Sequence, residues 1–251
     1  NGFMGIGGCT QLPTLLAQRP DFVKLILSNS EEYDLRRDDP EFFGFKGLDP
    51  LLVPEVVQRA HAAGLRVSAH VNTATDFHHA VVGGVDEVAH LPGIGEFEVI
   101  RSADVAMAAK KKIVVVTTLG PSSKIAEHYP AYYKKVMQQH AKNLERLKQA
   151  GVQIAIGPDL PYRDTSVAEA LLVRDLGVFT NAELLRMWTE TTSRTIFPGR
   201  RIGRLKSGDE ASFLVLGGNP LAEFSNVRKI ELRFKQGRPL DPKALQCPQI
   251  R

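Results

Sequence analysis

Cysteine is nearly absent from this chain. Its 251 residues hold two, Cys9 and Cys247, at opposite ends. They form no Cys-x-x-Cys pair, so a disulfide-stapled fold is excluded, and they leave the compartment open. No apolar run reaches the roughly 20 residues that a membrane-spanning helix requires. A basic stripe is missing too. Lys and Arg number 32 against 28 Asp and Glu, a net charge of +4, and they are scattered. The densest cluster, Lys110-Lys111-Lys112, reads as a solvated helix end, with a ligand or nucleic-acid patch as the alternative. Neither nucleic acid nor membrane is therefore expected as a partner.

What is present is ordinary: 43% hydrophobic and 24% charged residues, enough for one large domain or two small ones. The informative feature is alternation. Short apolar runs at 21–27 (DFVKLIL), 65–71 (LRVSAHV), 85–90 (VDEVAH), 112–118 (KIVVVTT) and 152–159 (VQIAIGPD) read as strands. Between and after them, 51–64, 74–84, 95–111, 132–151, 165–177 and 180–192 carry apolar residues at helical spacing, several closing on glycine. Thr180 and Glu183 are spaced as a capping box. Strands that alternate with helices predict a parallel sheet, and their near-continuous apolar character fits burial on both faces. From about residue 200 the runs 211–218 and 227–235 read as strands without intervening helices, a small antiparallel addition.

In parallel α/β folds, ligands bind at the carboxyl ends of the strands. The loops there, 28–50, 119–131 and 160–164, are the long ones. The polar residues at that end are Lys24 within the first strand, His70 and His90 closing the second and third, and Asp159 after the fifth. Each has an ordinary reading alone: a hydrogen-bonded structural histidine, a helix-entry aspartate, a snorkelling lysine. Together, imidazoles and a carboxylate suit a borderline divalent ion such as zinc, and an ion so held makes hydroxide available near neutral pH. Asp159 could then move the proton. Tyr162, Arg163 and His128 lie on the same loops and are candidate substrate contacts, the arginine fork suiting a carboxylate. The glycine-rich stretch 2–10 follows no visible strand and does not match a dinucleotide loop. His140, on the apolar face of the helix at 132–151, reads as a core histidine.

The order of these stretches resembles the amidohydrolase superfamily, in its imidazolonepropionase-like and metal-dependent prolidase-like branch. The resemblance extends into a closing passage with Gly203-Arg204-Leu205, Gly208, Ala211-Ser212-Phe213 and Asn219-Pro220-Leu221. It implies a (β/α)8 TIM barrel of which only strands four to eight are present, over residues 1–199, with a small β-sandwich segment over 200–251. It further implies one or two divalent metal ions, zinc first among them. Lys24 would be a carboxylated bridging lysine, His70 and His90 metal ligands, and Asp159 both ligand and general base. The implied activity is hydrolysis of amide, peptide or cyclic-amide bonds in a small or dipeptide-like substrate. The family's first-strand His-x-His pair does not occur here, and His78-His79 falls in a predicted helix. Five strands cannot close an eight-stranded barrel. The chain begins with Asn, so its true start is expected upstream, and homo-oligomerisation or association with the missing N-terminal portion is expected. A non-catalytic amidohydrolase-like scaffold stays open as the competing reading.

Overall fold

The fold is taken from a computed structural model, which describes residues 12–42, 47–93, 99–159 and 165–241. Residues 2–10, Tyr162 and Arg163 lie outside the described residues. Two compact units divide the chain: residues 1–154 with 158–160, and residues 155–157 with 161–251.

The first unit opens with helix α1 (Leu12–Ala17) and strand β1 (Phe22–Ile26). The loop after β1 contains a short helix α2 (Tyr33–Arg36), structure that the sequence did not announce. Then follow α3 (Val53–Ala62), β2 (Arg66–His70), α4 (Ala74–Gly83), β3 (Glu87–Ala89), α5 (Ser102–Lys111) and β4 (Val114–Val116). Helices α6 (Ser123–His128) and α7 (Pro130–Gln149) lead to β5 (Gln153–Ala155). The five strands lie in the order β1-β2-β3-β4-β5. From β1 to β4 neighbouring strands pair in parallel, with Lys24 opposite Ser68 and Ser68 opposite Glu87. This is the alternating architecture the sequence predicts, with every strand shorter than its apolar run.

In β1 burial follows the period of two. Val23, Leu25, Val67, Ala69, Val88 and Val115 are buried, while on the same face as Lys24, Phe22 and Ile26 are 46% and 42% exposed. β1 is one edge of the sheet, and its inward face meets no further strand among the described residues. Lys111 is exposed in the last turn of α5, the solvated helix end expected, and its ammonium also donates to the carbonyls of Val81 and Val82 at 2.9 and 3.1 Å. It thereby adds a donor to carbonyls in the last turn of α4, of which Val81 O also accepts from Gly84 N.

The second unit contains α8 (Thr165–Asp175), α9 (Asn181–Arg186), a π turn over Met187–Thr191 and α10 (Thr192–Ile196). The capping box is formed: Thr180 Oγ1 accepts from Glu183 N at 3.3 Å, and Glu183 Oε2 accepts from Thr180 N at 2.8 Å. The helix predicted over 180–192 is interrupted by the π turn. Thr192 Oγ1 donates to Met187 O, five residues back, at 2.9 Å and accepts from Ile156 N at 2.9 Å. A side chain held on both sides widens the turn locally. The unit ends in an antiparallel sheet, β6 (Phe213–Leu216), β7 (Ile230–Lys235) and β8 (Arg238–Pro239). Phe213 stacks on Phe234 across it, ring centres 4.7 Å apart.

Helix α7 turns three polar residues, Gln139, His140 and Asn143, inward beside its apolar ones. Asn143 is fully buried, accepting from Ile100 N at 2.9 Å and donating to Pro92 O at 3.1 Å. The His140 ring is 3% exposed and lies against Gly93, whose missing Cβ would stand 2.9 Å from its Nδ1. That Nδ1 is buried with no partner among the described residues. Burial, opposed by a hydrogen bond to Pro92, pushes the His140 pKa down to about 4 from 6.5. The folded chain therefore binds this proton less readily than the unfolded chain. The stabilisation is complete above pH 6.5 and is lost as pH falls toward 4, in all roughly 3 kcal/mol at about 1.4 kcal/mol per pH unit. Urea unfolding at pH 7 and pH 4.5 should show that loss, and His140→Leu should remove most of it. An equal loss in the variant would show that other groups carry the acid sensitivity.

Candidate active site

The site is built at the carboxyl ends of β1 to β5, within the first unit. A polar row crosses the sheet at one register level. The Lys24 ammonium donates to Ser68 Oγ at 3.3 Å, and Ser68 Oγ donates to Glu87 Oε1 at 2.8 Å. Burial lowers the Lys24 pKa, opposed by the negative charges of Glu87 and Asp159. His70 lies two residues beyond Ser68 and so shares its face.

His90 does not follow by parity. Glu87 and Ala89 share a face, so an extended residue 90 would turn to the other side. His90 instead has φ +80, a left-handed conformation costly outside glycine. The strand stops there, and the ring lies edge-on to His70, ring centres 4.4 Å apart. Three more non-glycine residues beyond strand ends share this backbone: Asn29 (φ 50) after β1, Thr118 (φ 50) after β4 and Asp159 (φ 51) after β5. Such strain gathers where surrounding structure over-determines a side chain's direction. Thr118 Oγ1 lies 2.5 Å from His90 Nδ1. His90 Nε2 faces Asp159 Oδ2 at 3.9 Å, beyond hydrogen-bonding distance, with the Asp159 side chain 60% exposed.

Burial pushes the His90 pKa down to about 3, and the neighbouring His70 and Lys24 charges push the same way. Burial, then Lys24, also lowers that of His70, against smaller opposing contributions from Asn72, Asp76 and Asp159. Both rings are therefore neutral at physiological pH, the form in which imidazole is a ligand or a base.

The loops carrying these residues converge on one buried carboxylate. Asp76 is fully buried. It accepts from Asn29 N at 3.0 Å, Ser30 N at 2.7 Å, Ser30 Oγ at 2.6 Å, Asn72 N at 2.9 Å and Thr73 N at 3.1 Å. With Thr73 it is also the capping box of α4, Thr73 Oγ1 accepting from Asp76 N at 3.1 Å. Sequence reasoning passed over Asp76, Asn72, Thr118, Ser68 and Glu87. Only Asp76 carried a signal, the Thr-x-x-acid spacing of a capping box ahead of an apolar helix.

Of the residues the sequence proposed, Lys24, His70, His90 and Asp159 are thus brought to one end of the sheet. His128 sits exposed at the end of α6, with Tyr129 its ring neighbour at 6.5 Å. Among the described residues no three His, Cys, Asp or Glu side chains converge as a metal-holding group. The donor chemistry still fits a divalent ion. Two neutral imidazoles, a lysine of lowered basicity and a carboxylate face one rim, and His90 has its second nitrogen engaged by Thr118, as ligand histidines usually do.

The sequence pattern of the amidohydrolase family matches residues 43–240. The chain belongs to the amidohydrolase family. Its similarity to the imidazolonepropionase of Chromobacterium violaceum is 27% identity over 198 residues, covering 77% of this chain and 43% of that protein. Among solved structures, A. niger ochratoxinase superposes with a TM-score of 0.72 at 20% identity, over 93% of this chain and 55% of that one. A Xaa-Pro dipeptidase with bound methionine in its active site superposes with a TM-score of 0.71 at 18% identity, over 96% and 62%. The chain thus spans about half the length of these relatives. Its five parallel strands form part of an amidohydrolase-type TIM barrel, and the candidate residues stand at the strand ends where such barrels bind ligands.

Replacing Asp76 with alanine would strand four backbone N–H groups around a buried site. Each buried unsatisfied donor costs about 1–3 kcal/mol. Asp76→Ala should lose roughly 3–5 kcal/mol, the range for breaking a buried charged network. Urea denaturation measures this, and a loss under about 1 kcal/mol would show that the loops hold without the carboxylate.

Proposed function

We propose that this chain supplies one side of the active site of a metal-dependent hydrolase that cleaves C–N bonds in amides, peptides or cyclic amides. The observation that carries the reading is the His70–His90 pair. Two neutral imidazoles 4.4 Å apart, one aimed at the Asp159 carboxylate, suit ligation better than any packing role. Family membership supports it, as does similarity to an imidazolonepropionase and a Xaa-Pro dipeptidase.

In this reading Lys24, His70, His90 and Asp159 hold one or two divalent ions, zinc first among them. When bound, such an ion supplies Lewis acidity and lowers the pKa of water. His70 and His90 contribute lone pairs, and Thr118 fixes the His90 ring. Lys24, made less basic by burial, reaches the neutral amine more readily. That form adds carbon dioxide, losing a proton to become a carbamate, a second anionic ligand. Asp159, exposed beside His90, accepts a proton from the attacking water at Oδ2 and returns it to the leaving nitrogen. Tyr162, Arg163 and His128 remain proposed substrate contacts, for a small or dipeptide-like molecule. The open inward face of β1 favours completion of the site by further polypeptide, on this chain's own continuation or on an associated chain.

The second reading is a non-catalytic amidohydrolase-like scaffold, and the lack of a three-ligand group among the described residues favours it. Metal analysis of the natively purified protein separates the two. The hydrolase reading expects zinc, manganese or iron, hydrolysis within a panel of Xaa-Pro dipeptides, N-acyl amino acids and cyclic amides, and a loss of about 10²–10⁴-fold in kcat/KM for Asp159→Asn. Absence of metal, with no change in activity for His70→Ala, would leave only the scaffold.

A further inference from the structure

His70 is not free to turn. Its Nε2 lies 3.0 Å from Asn72 Oδ1. The other end of that amide is anchored, Nδ2 donating to Ser28 Oγ at 3.1 Å in the loop after β1. The backbone beneath is anchored as well: Asn72 N donates to Asp76 Oδ2 at 2.9 Å, and Asn72 O accepts from Gly93 N, beyond His90, at 3.3 Å. One residue therefore touches His70, the β1 loop, the β3 loop and the Asp76 hub.

We infer that Asn72 is the positioning residue of His70, and that it selects the ring's tautomer. An amide whose Nδ2 is committed to Ser28 presents its oxygen to the ring. A neutral imidazole facing an acceptor carries its single proton there, on Nε2. That leaves Nδ1 with its lone pair open as the ligating or basic atom. Without Asn72 the ring would divide between two tautomers and rotate, and the atom offered to the site would no longer be defined. Ser28 and Asp76 act through Asn72 and touch no reacting atom. Outer partners of this kind typically govern 10–100-fold in metal affinity.

The importance of Nδ1 rests on the proposed function, but the tautomer does not, so the two can fail separately. Long-range proton–nitrogen correlation spectra of the 251-residue chain without added metal, with His70 assigned from the His70→Gln spectrum, read the tautomer directly. Wild type should show a protonated Nε2 and an unprotonated Nδ1. Asn72→Ala, which keeps the backbone bond to Asp76, should give averaged shifts at both nitrogens. Asn72→Asp, which keeps an acceptor oxygen, should restore the wild-type pattern. Ser28→Ala, a milder change, should move the shifts part of the way. A proton on Nδ1 in wild type, or unchanged His70 shifts in Asn72→Ala, would overturn the inference. Zinc titration against a chelator is the second arm, with affinity expected to fall about 10–100-fold in Asn72→Ala. No zinc binding by wild type would sink the metal reading and leave the tautomer result standing, whereas equal zinc affinity in the two proteins would count against Asn72.

Discussion

A buried negative charge holds this site in shape. Asp76 has no exposure, and the groups that donate to it are backbone N–H groups and a hydroxyl rather than a cation. Taking a carboxylate out of water costs several kcal/mol unless its lone pairs are filled. Here they are filled by four backbone N–H groups and one hydroxyl, from the loops that follow β1 and β2. Those donors would themselves be orphaned without the carboxylate, so each side resolves the other's desolvation. The cost of the arrangement is what makes it directional. Any shift of the β1 loop relative to the β2 loop opens a short bond to a charge, and the register of Ser28, Asn72 and His70 is fixed as a result.

A second constraint acts at the strand ends. A parallel strand offers side chains to the inner face only at alternate positions, which limits how many chemistry-bearing groups one strand can deliver. Left-handed residues break that limit. At His90 the positive φ ends the extended run and lets an otherwise outward position face its neighbours, and Thr118 and Asp159 beyond β4 and β5 share the left-handed backbone. Three such residues, on the ends of three adjacent strands, are in reach of one another: Thr118 on His90, and His90 toward Asp159. The strain is local and the reward is local. The fold supplies the rest of the stability from the aliphatic layer of Val23, Leu25, Val67, Ala69, Val88 and Val115 against its helices.

How much of this was legible in the sequence follows from which interactions are local. The parallel alternation, the helices and the Thr180 capping box rest on apolar periodicity and spacings of three or four residues, so they could be read directly. Lys24, His70, His90 and Asp159 were legible because strand ends can be located from where apolar runs stop. The Asn72 and Ser28 contact was not, since it joins residues 44 apart whose proximity depends on register. The π turn in 187–191 was hidden for the same reason: Thr192 makes it by bonding Ile156, 36 residues away. Asn143 and Gln139 are polar residues of α7 that apolar periodicity does not single out, yet both are buried. Periodicity counts apolar residues and is blind to a polar side chain that is buried because a backbone, here Ile100 and Pro92, needs its hydrogen bonds.

The inward face of β1 carries the argument one step further. Phe22 and Ile26 flank Lys24 on that face, and both are large and part-exposed, while their outward neighbours are fully covered. An apolar pair left half in water on either side of a lysine of lowered basicity is an arrangement with unrealised burial. Covering Phe22 and Ile26 would remove apolar surface from water and would desolvate Lys24 further, moving it toward the neutral amine. The same event that closes the sheet edge would therefore tune the lysine's chemistry. On this physics a polypeptide that paired with β1 would act on the reactivity of Lys24 through burial, apart from any ligand it brought.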